Sequence, residues 1–261
     1  FCNTDKKINS IVLTSSLPDE GKTLINIILA KTLSDMGEKV LLIDADMRKP
    51  ALHKRLGLNN ILGFSNLLSD PDLEINKVMQ KVNKNANFNV ITAGKIPPDP
   101  TRLLSSKRFE NLIKEIYEKN IYDLIIFDAP PVLGLSDSIL LAEKTDGVIL
   151  LVSIENVRRN MPNESANRIF ETGSTLLGTI TNQRKESKDK LVKYGDYKYY
   201  GRRYQYAPTY TYQEYSSVNN DLINSDKVSD FKNPLLDKFI NLKFVKKLNL
   251  KINQFLKWLD N

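Results

Sequence analysis

Two periodicities of apolar and polar positions alternate along the first 180 residues of the chain. Short apolar runs within 9–14, 39–45, 122–128 and 146–153 read as buried strands, with polar or turn-forming residues at their ends. Other segments repeat their apolar residues every three or four positions, as do Leu103, Phe109, Leu112, Ile113 and Ile116 within 102–119, and these read as helices. The predicted elements are 9–14, 22–36, 39–45, 64–69, 74–83, 88–92, 102–119, 122–128, 136–143, 146–153, 160–173 and 176–182. Strands alternating with helices predict an α/β fold: a doubly wound, mostly parallel sheet with helices on both faces.

Beyond residue 182 the pattern changes twice. Nine of the 22 residues from 194 to 215 are tyrosine: Tyr194, Tyr197, Tyr199, Tyr200, Tyr204, Tyr206, Tyr210, Tyr212 and Tyr215. Gly195, Gly201, Pro208, Lys198, Arg202 and Arg203 are interleaved, with almost no aliphatic residue, so this stretch cannot form an ordinary core. A Ser-, Asn- and Asp-rich linker follows. Residues 234–261 then space Leu235, Phe239, Leu242, Val245, Leu248, Ile252, Phe255 and Leu259 at helical intervals, with six lysines against two aspartates. Such a basic amphipathic helix either packs on a protein surface or lies on an anionic membrane with Trp258 near the interface. The organisation read from sequence is therefore a folded domain over 1–185, a Tyr-rich tail over 186–215, a linker over 216–233 and an amphipathic helix over 234–261.

At 261 residues the chain can bury one substantial core, and its net charge is +7. The single cysteine, Cys2, excludes an internal disulfide framework and any Cys-based metal site. The lone His53 has no neighbouring residue of ligand type and is read as solvated or capping. No apolar run reaches the roughly 18 residues of a membrane span. A first residue of Phe1 rather than Met reads as a fragment or a processed chain.

The chemistry concentrates at strand ends. Residues 9–23, NSIVLTSSLPDEGKT, run from strand through a small-residue loop to Gly21-Lys22-Thr23 and a helix, the order of a P-loop. Backbone N–H groups of such a loop and of the helix N-terminus face phosphates. Lys22 reaches the β- and γ-phosphates and the Thr23 hydroxyl binds Mg²⁺. Pro18, Glu20, Gly21, Lys22, Thr23 and Leu24 are the candidate nucleotide-binding residues of the loop, although Ser16 stands where the motif asks for its first glycine. The next strand ends in Asp44 and Asp46, two apart and so on one face, where both carboxylates can aim at one metal site. A third strand, YDLIIFD, ends in Asp128. Ligands of open α/β sheets lie beyond the carboxyl ends of the strands, so all three strand ends converge on one place. The bland alternative is that each aspartate caps the turn or helix after it.

The stretches SSLPDEGKT, VLLIDADMRKP, LHKRLGL, GFSNLLSD, TAGKIPPDPTRLLSS and YDLIIFDAPPVLGLSDSILLAEKTDGVILLV, with the tyrosine cluster, resemble the cytoplasmic kinase domain of bacterial tyrosine kinases. These are P-loop proteins related to the MinD and ParA ATPases and tied to capsule and exopolysaccharide export. The resemblance implies ATP and Mg²⁺ as cofactors, with Lys22, Asp44, Asp46 and Asp128 as the catalytic set and Thr23, Asp44 and Asp128 toward the metal. It also implies that the tail tyrosines are phosphoacceptors, used in trans within a homo-oligomer because the linker from Asn182 to Tyr194 is short. A transmembrane polysaccharide co-polymerase or activator is the implied partner, at the cytoplasmic face of the plasma membrane; no nucleic acid is expected.

Arg48 serves either to neutralise transferring charge or to form a structural ion pair, and Asn182 matches the family's strand-end Asn near the base. Asp19 departs from the pattern by standing where the family usually has Gly. Ser153 and Val157 depart by standing where it commonly has Arg and Thr. The competing function is a MinD/ParA-like ATPase switch of assembly or membrane attachment.

Overall fold

The computed structural model describes residues 7–82, 87–154 and 157–183. The tyrosine cluster, the linker and the predicted helix over 234–261 lie outside the described residues.

Among the described residues seven strands form one sheet: β1 (Ser10–Ser15), β2 (Val40–Asp44), β3 (Met79–Lys81), β4 (Phe88–Ile91), β5 (Leu124–Asp128), β6 (Gly147–Ser153) and β7 (Leu176–Asn182). Their spatial order is β3-β4-β2-β5-β1-β6-β7, parallel throughout except for β3, which runs antiparallel to β4 at the edge. Chain order reverses around β1: the segment leaving β1 builds the β2 side, and the chain leaving β5 crosses to β6 on the other side. A ligand crevice forms at such a switch point, outside the carboxyl ends of the strands.

Strand alternation sorts the apolar side chains between the two faces. Val12, Leu41, Ile43, Ile125 and Phe127 point to one core, where Phe109, Leu112, Ile113 and Ile116 of α5 (Lys107–Glu118) cover them. Ile11, Val40, Leu42 and Ile126 point to the other, beneath Ile27 and Ala30 of α1 (Lys22–Asp35) and Leu52 of α2 (Leu52–Leu56). With both faces covered, Val40 to Ile43 are wholly buried, which is why the central strands read as unbroken apolar runs. Phe64 of α3 (Phe64–Ser69), Phe109 and Phe127 meet with ring centroids 5.8 to 6.3 Å apart.

Three local expectations change. The predicted helix over 102–119 is two helices, α4 (Pro100–Leu104) and α5, because Ser106 caps the second by accepting from the Phe109 N–H. The segment 74–83 is a 3-10 turn, Ile75–Lys77, followed by the short strand β3. Helix α2 was not predicted; its five residues are too few to show a period. Helices α6 (Asp137–Ala142) and α7 (Asn160–Glu171) match their predicted segments within two residues at each end.

Candidate phosphoryl-transfer site

The loop leaving β1 is bent by two residues of left-handed backbone, Asp19 at φ 63° and Gly21 at φ 99°. Asp19 is exposed and so turns its charge outward. Asparagine and aspartate tolerate this region better than other residues with a Cβ, which explains how Asp19 occupies it. Lys22 begins α1, so the helix's unpaired N–H groups lie at the loop. The Lys22 side chain is buried to 8 % exposure beside the carboxylates of Asp46, Asp128 and Glu20.

Asp44 and Asp128 sit opposite each other at the paired ends of β2 and β5. Asp128 accepts from Asn26 Nδ2 at 2.7 Å and from the Thr23 hydroxyl, so α1 supplies both of its partners. Burial pushes the Asp128 carboxyl up to about 6, against the pull of Thr23 and Lys22. Asp44 has no exposure; its Oδ2 accepts from the Ala51 and Leu52 N–H groups at the start of α2, at 3.2 and 3.1 Å. Its Oδ1 is buried without a partner. Burial, then the charges of Asp128 and Asp46, raise its pKa well above the usual carboxylate value.

Strand β2 ends at Asp44, so Asp46 is placed by the loop and not by strand alternation. Asp46 Oδ1 accepts both the Arg48 N–H at 3.3 Å and the Lys49 N–H at 2.9 Å. Burial raises its pKa, and Lys22 opposes the rise. Asp44 and Asp46 thus accept from N–H groups of the segments that follow them, Asp128 is held by side chains of α1, and the three carboxyl groups crowd together.

Arg48 resolves toward the ion pair. Its Nε donates to Asp137 Oδ2 at 2.6 Å and its Nη2 to Asp137 Oδ1 at 3.1 Å, with a further bond to Thr101 Oγ1 at 2.9 Å. Asp137 and Thr101 carry no sequence signal for this role, since their partner is 89 and 53 residues away. Glu20 faces inward: its Oε1 accepts from the Leu17 N–H at 2.6 Å and its Oε2 from the Ser153 N–H at 2.7 Å. Burial raises its pKa, and those two bonds hold it back. Asn182 Nδ2 donates to the Glu20 carbonyl at 2.9 Å, which brings the end of β7 to the loop. Pro18 and Leu24 are half-buried beside it.

Among the described residues, no three His, Cys, Asp or Glu side chains form a cage that holds a metal unaided. Mg²⁺ at a nucleotide site needs only one or two protein oxygens, with phosphate and water completing its shell. Crowded carboxylates and the unpartnered buried Asp44 Oδ1, offset by one lysine, suit such a cation. The donor set fits Mg²⁺ held with a nucleotide.

Comparison with known proteins agrees with this geometry. Residues 11–172 match the AAA domain family. Tyrosine-protein kinase YwqD of Bacillus subtilis is 35% identical over 203 residues, spanning 78% of this chain and 82% of that protein. Among solved structures, the kinase domain of the Escherichia coli tyrosine kinase ETK superposes with a TM-score of 0.64 at 32% identity, over 74% of this chain and 73% of that one. The septum site-determining protein MinD of Pyrococcus horikoshii, solved with Mg-ADP, shares the fold at 21% identity and a TM-score of 0.57, over 70% and 73% of the two chains.

Proposed function

The chain belongs to the bacterial tyrosine-protein kinases, and from that premise we propose that it transfers the γ-phosphoryl group of ATP to tyrosines 194–215 of a second copy of itself. Mg²⁺ supplies charge neutralisation at the phosphates. The chain's own groups divide the remaining work. The N–H groups at the start of α1 and Lys22 hold phosphate oxygens, Thr23 and Asp44 are the metal-side oxygens, and Asp128 organises that side through Thr23 and Asn26.

Asp46 is the observation that carries the acceptor side. Two backbone N–H groups fix Oδ1, leaving Oδ2 to orient a tyrosine hydroxyl next to Lys22. A free tyrosine has a pKa of about 10 and a carboxylate one of about 4, so Asp46 positions the hydroxyl and takes its proton late. A loose phosphoryl-transfer transition state needs no more than that. Burial narrows the gap by raising the Asp46 pKa. Arg48 acts on this group through the turn it shapes, with its guanidinium committed to Asp137.

The short stretch between Asn182, beside the phosphate loop, and Tyr194 supports transfer in trans, since it limits how easily the first acceptors turn back into their own site. Each phosphate adds about −1.5 to −2 charges to a tail carrying Lys198, Arg202 and Arg203, reversing its sign and favouring release from an acidic site. The same reading makes the tail a switch on assembly of a homo-oligomer serving exopolysaccharide or capsule export. It places the chain at the cytoplasmic face of the plasma membrane beside a transmembrane activator, with 234–261 toward the anionic surface or a protein partner. No helix among the described residues is long and apolar enough to cross a membrane.

The test mixes an isotope-labelled Lys22→Met chain with unlabelled active chain, adds Mg·ATP and maps phosphotyrosine by mass spectrometry. Phosphate on 194–215 of the labelled copy, and none when Lys22→Met is incubated alone, is the expected result. Phosphate confined to the active copy refutes transfer in trans. ATP consumed with no phosphotyrosine on either copy favours the assembly switch.

A further inference from the structure

Glu20 is a buried carboxylate beneath a loop built to receive anions, a placement that needs a reason. At 1 % exposure, its two oxygens accept from the Leu17 and Ser153 N–H groups. Its own carbonyl accepts from Asn182 Nδ2. The residues on either side of it, Asp19 and Gly21, are both left-handed. One residue is therefore fixed through side chain and main chain at the point where the loop bends twice. Two of the three anchors, Ser153 and Asn182, come from the carboxyl ends of β6 and β7, far away in sequence, and the third, Leu17, from the loop itself.

The rest of the loop is held from the same side. Leu17 buries its side chain among Leu133, Val157 and Met161, and its carbonyl accepts from Ser15 Oγ at 2.5 Å. Ser165 of α7 donates to Ser16 Oγ at 2.9 Å. Ser153 and Val157 are the positions whose residues depart from the resemblance noted in the sequence. In this chain those positions serve the loop, the first through its backbone N–H and the second through apolar packing.

We propose that Glu20 is a positioning residue for nucleotide: by tying Leu17 to the end of β6, its carboxylate sets the phosphate loop in its binding shape before ATP arrives. Its charge is spent on the Leu17 and Ser153 N–H groups and the Ser15 side chain, all turned inward, which leaves the outer N–H groups for phosphate. A loop that ATP had to order would lose affinity to the cost of ordering. The end of β7 joins the same arrangement, because Asn182 holds the Glu20 carbonyl and stands against Gly21, where an added Cβ would lie 2.9 Å from its Nδ2.

Glu20→Gln in the full chain tests this, since the amide fills the same space but turns an NH₂ toward one of the two N–H donors. Calorimetry with Mg·ADP and with Mg·pyrophosphate, neither of which engages an acceptor tyrosine, keeps the outcome separate from the identity of the phosphorylated residue. The expected result is about a tenfold loss of affinity for both, from one charge-assisted bond. In the kinase assay the loss falls on KM for Mg·ATP more than on kcat. Affinity within twofold of the unaltered chain, with a lowered unfolding temperature, would overturn the proposal and leave Glu20 a purely structural group. Should Glu20→Gln fail to fold, Asn182→Ala decides: weaker Mg·pyrophosphate binding supports the proposal, and unchanged binding overturns it.

Discussion

Replacing Arg48 with methionine separates the two roles open to this residue, and its magnitude follows from burial. The Arg48 side chain is 12% exposed and that of Asp137 1%, and two hydrogen bonds join them in a forked arrangement. Removing the guanidinium leaves Asp137 desolvated, with Thr101 as its remaining side-chain donor. Breaking a buried pair from one side costs about 3–5 kcal/mol, because an uncompensated charge stays behind. For a folded unit of this size each kcal/mol lowers the unfolding temperature by about 2–4 °C, so Arg48→Met should lower it by roughly 6–20 °C.

A double-mutant cycle sharpens the test. Asp137→Leu alone strands the arginine, whereas Arg48→Met with Asp137→Leu replaces both charges by apolar groups, which is often close to neutral. The double variant should therefore be more stable than either single one, with a coupling of at least about 2 kcal/mol. Calorimetric unfolding of the ligand-free protein gives all four corners. A loss below about 1 kcal/mol for Arg48→Met, the range of exposed pairs, would refute the argument. So would an unchanged unfolding temperature, whatever becomes of phosphotransfer, because the pair would then carry no stability.

Two further outcomes follow from the same site. Gly21→Ala forces a left-handed alanine at φ 99° and sets its Cβ against Asn182, so it should cost about 1–2 kcal/mol in chemical denaturation and weaken Mg·ADP binding as well; a stability equal to wild type would show that the loop relaxes freely. In the ligand-free protein, burial raises the pKa values of Glu20, Asp44, Asp46 and Asp128, the last to about 6. The folded state thus binds protons more tightly than the unfolded one, and the stability present below about pH 4 is lost as pH rises through the raised values. Asp128→Asn should flatten part of this fall between about pH 4 and 6 in thermal unfolding, and parallel curves for the variant and wild type would contradict the assignment.

Legibility in the sequence tracked the range of the interaction that fixes each feature. The strands were readable because β2 and β5 are buried on both faces and had to be apolar throughout. Helix α5 was readable because one apolar stripe covers one face of the sheet. The placement of Lys22, Thr23, Asp44 and Asp128 at element ends was readable because a strand end followed by a turn is a local event. What escaped depends on partners distant in sequence: Asp137 for Arg48, Asn26 for Asp128, and Ser153 and Asn182 for Glu20.

Asp46 shows the boundary most clearly. Strand periodicity predicted that it shares a face with Asp44, yet β2 stops at Asp44. Asp46 is delivered instead by a turn whose N–H groups at Arg48 and Lys49 grip one oxygen. That turn is held in place by a guanidinium fixed on α6. The sequence pattern pointed to Asp46 through strand alternation, while its turn is braced through a side chain 89 positions beyond Arg48. Because the ion pair and the carboxylate proposed to orient the acceptor share one turn, loosening Asp137 should move Asp46 before it unfolds the sheet, and phosphotransfer should fail at lower temperature than the fold.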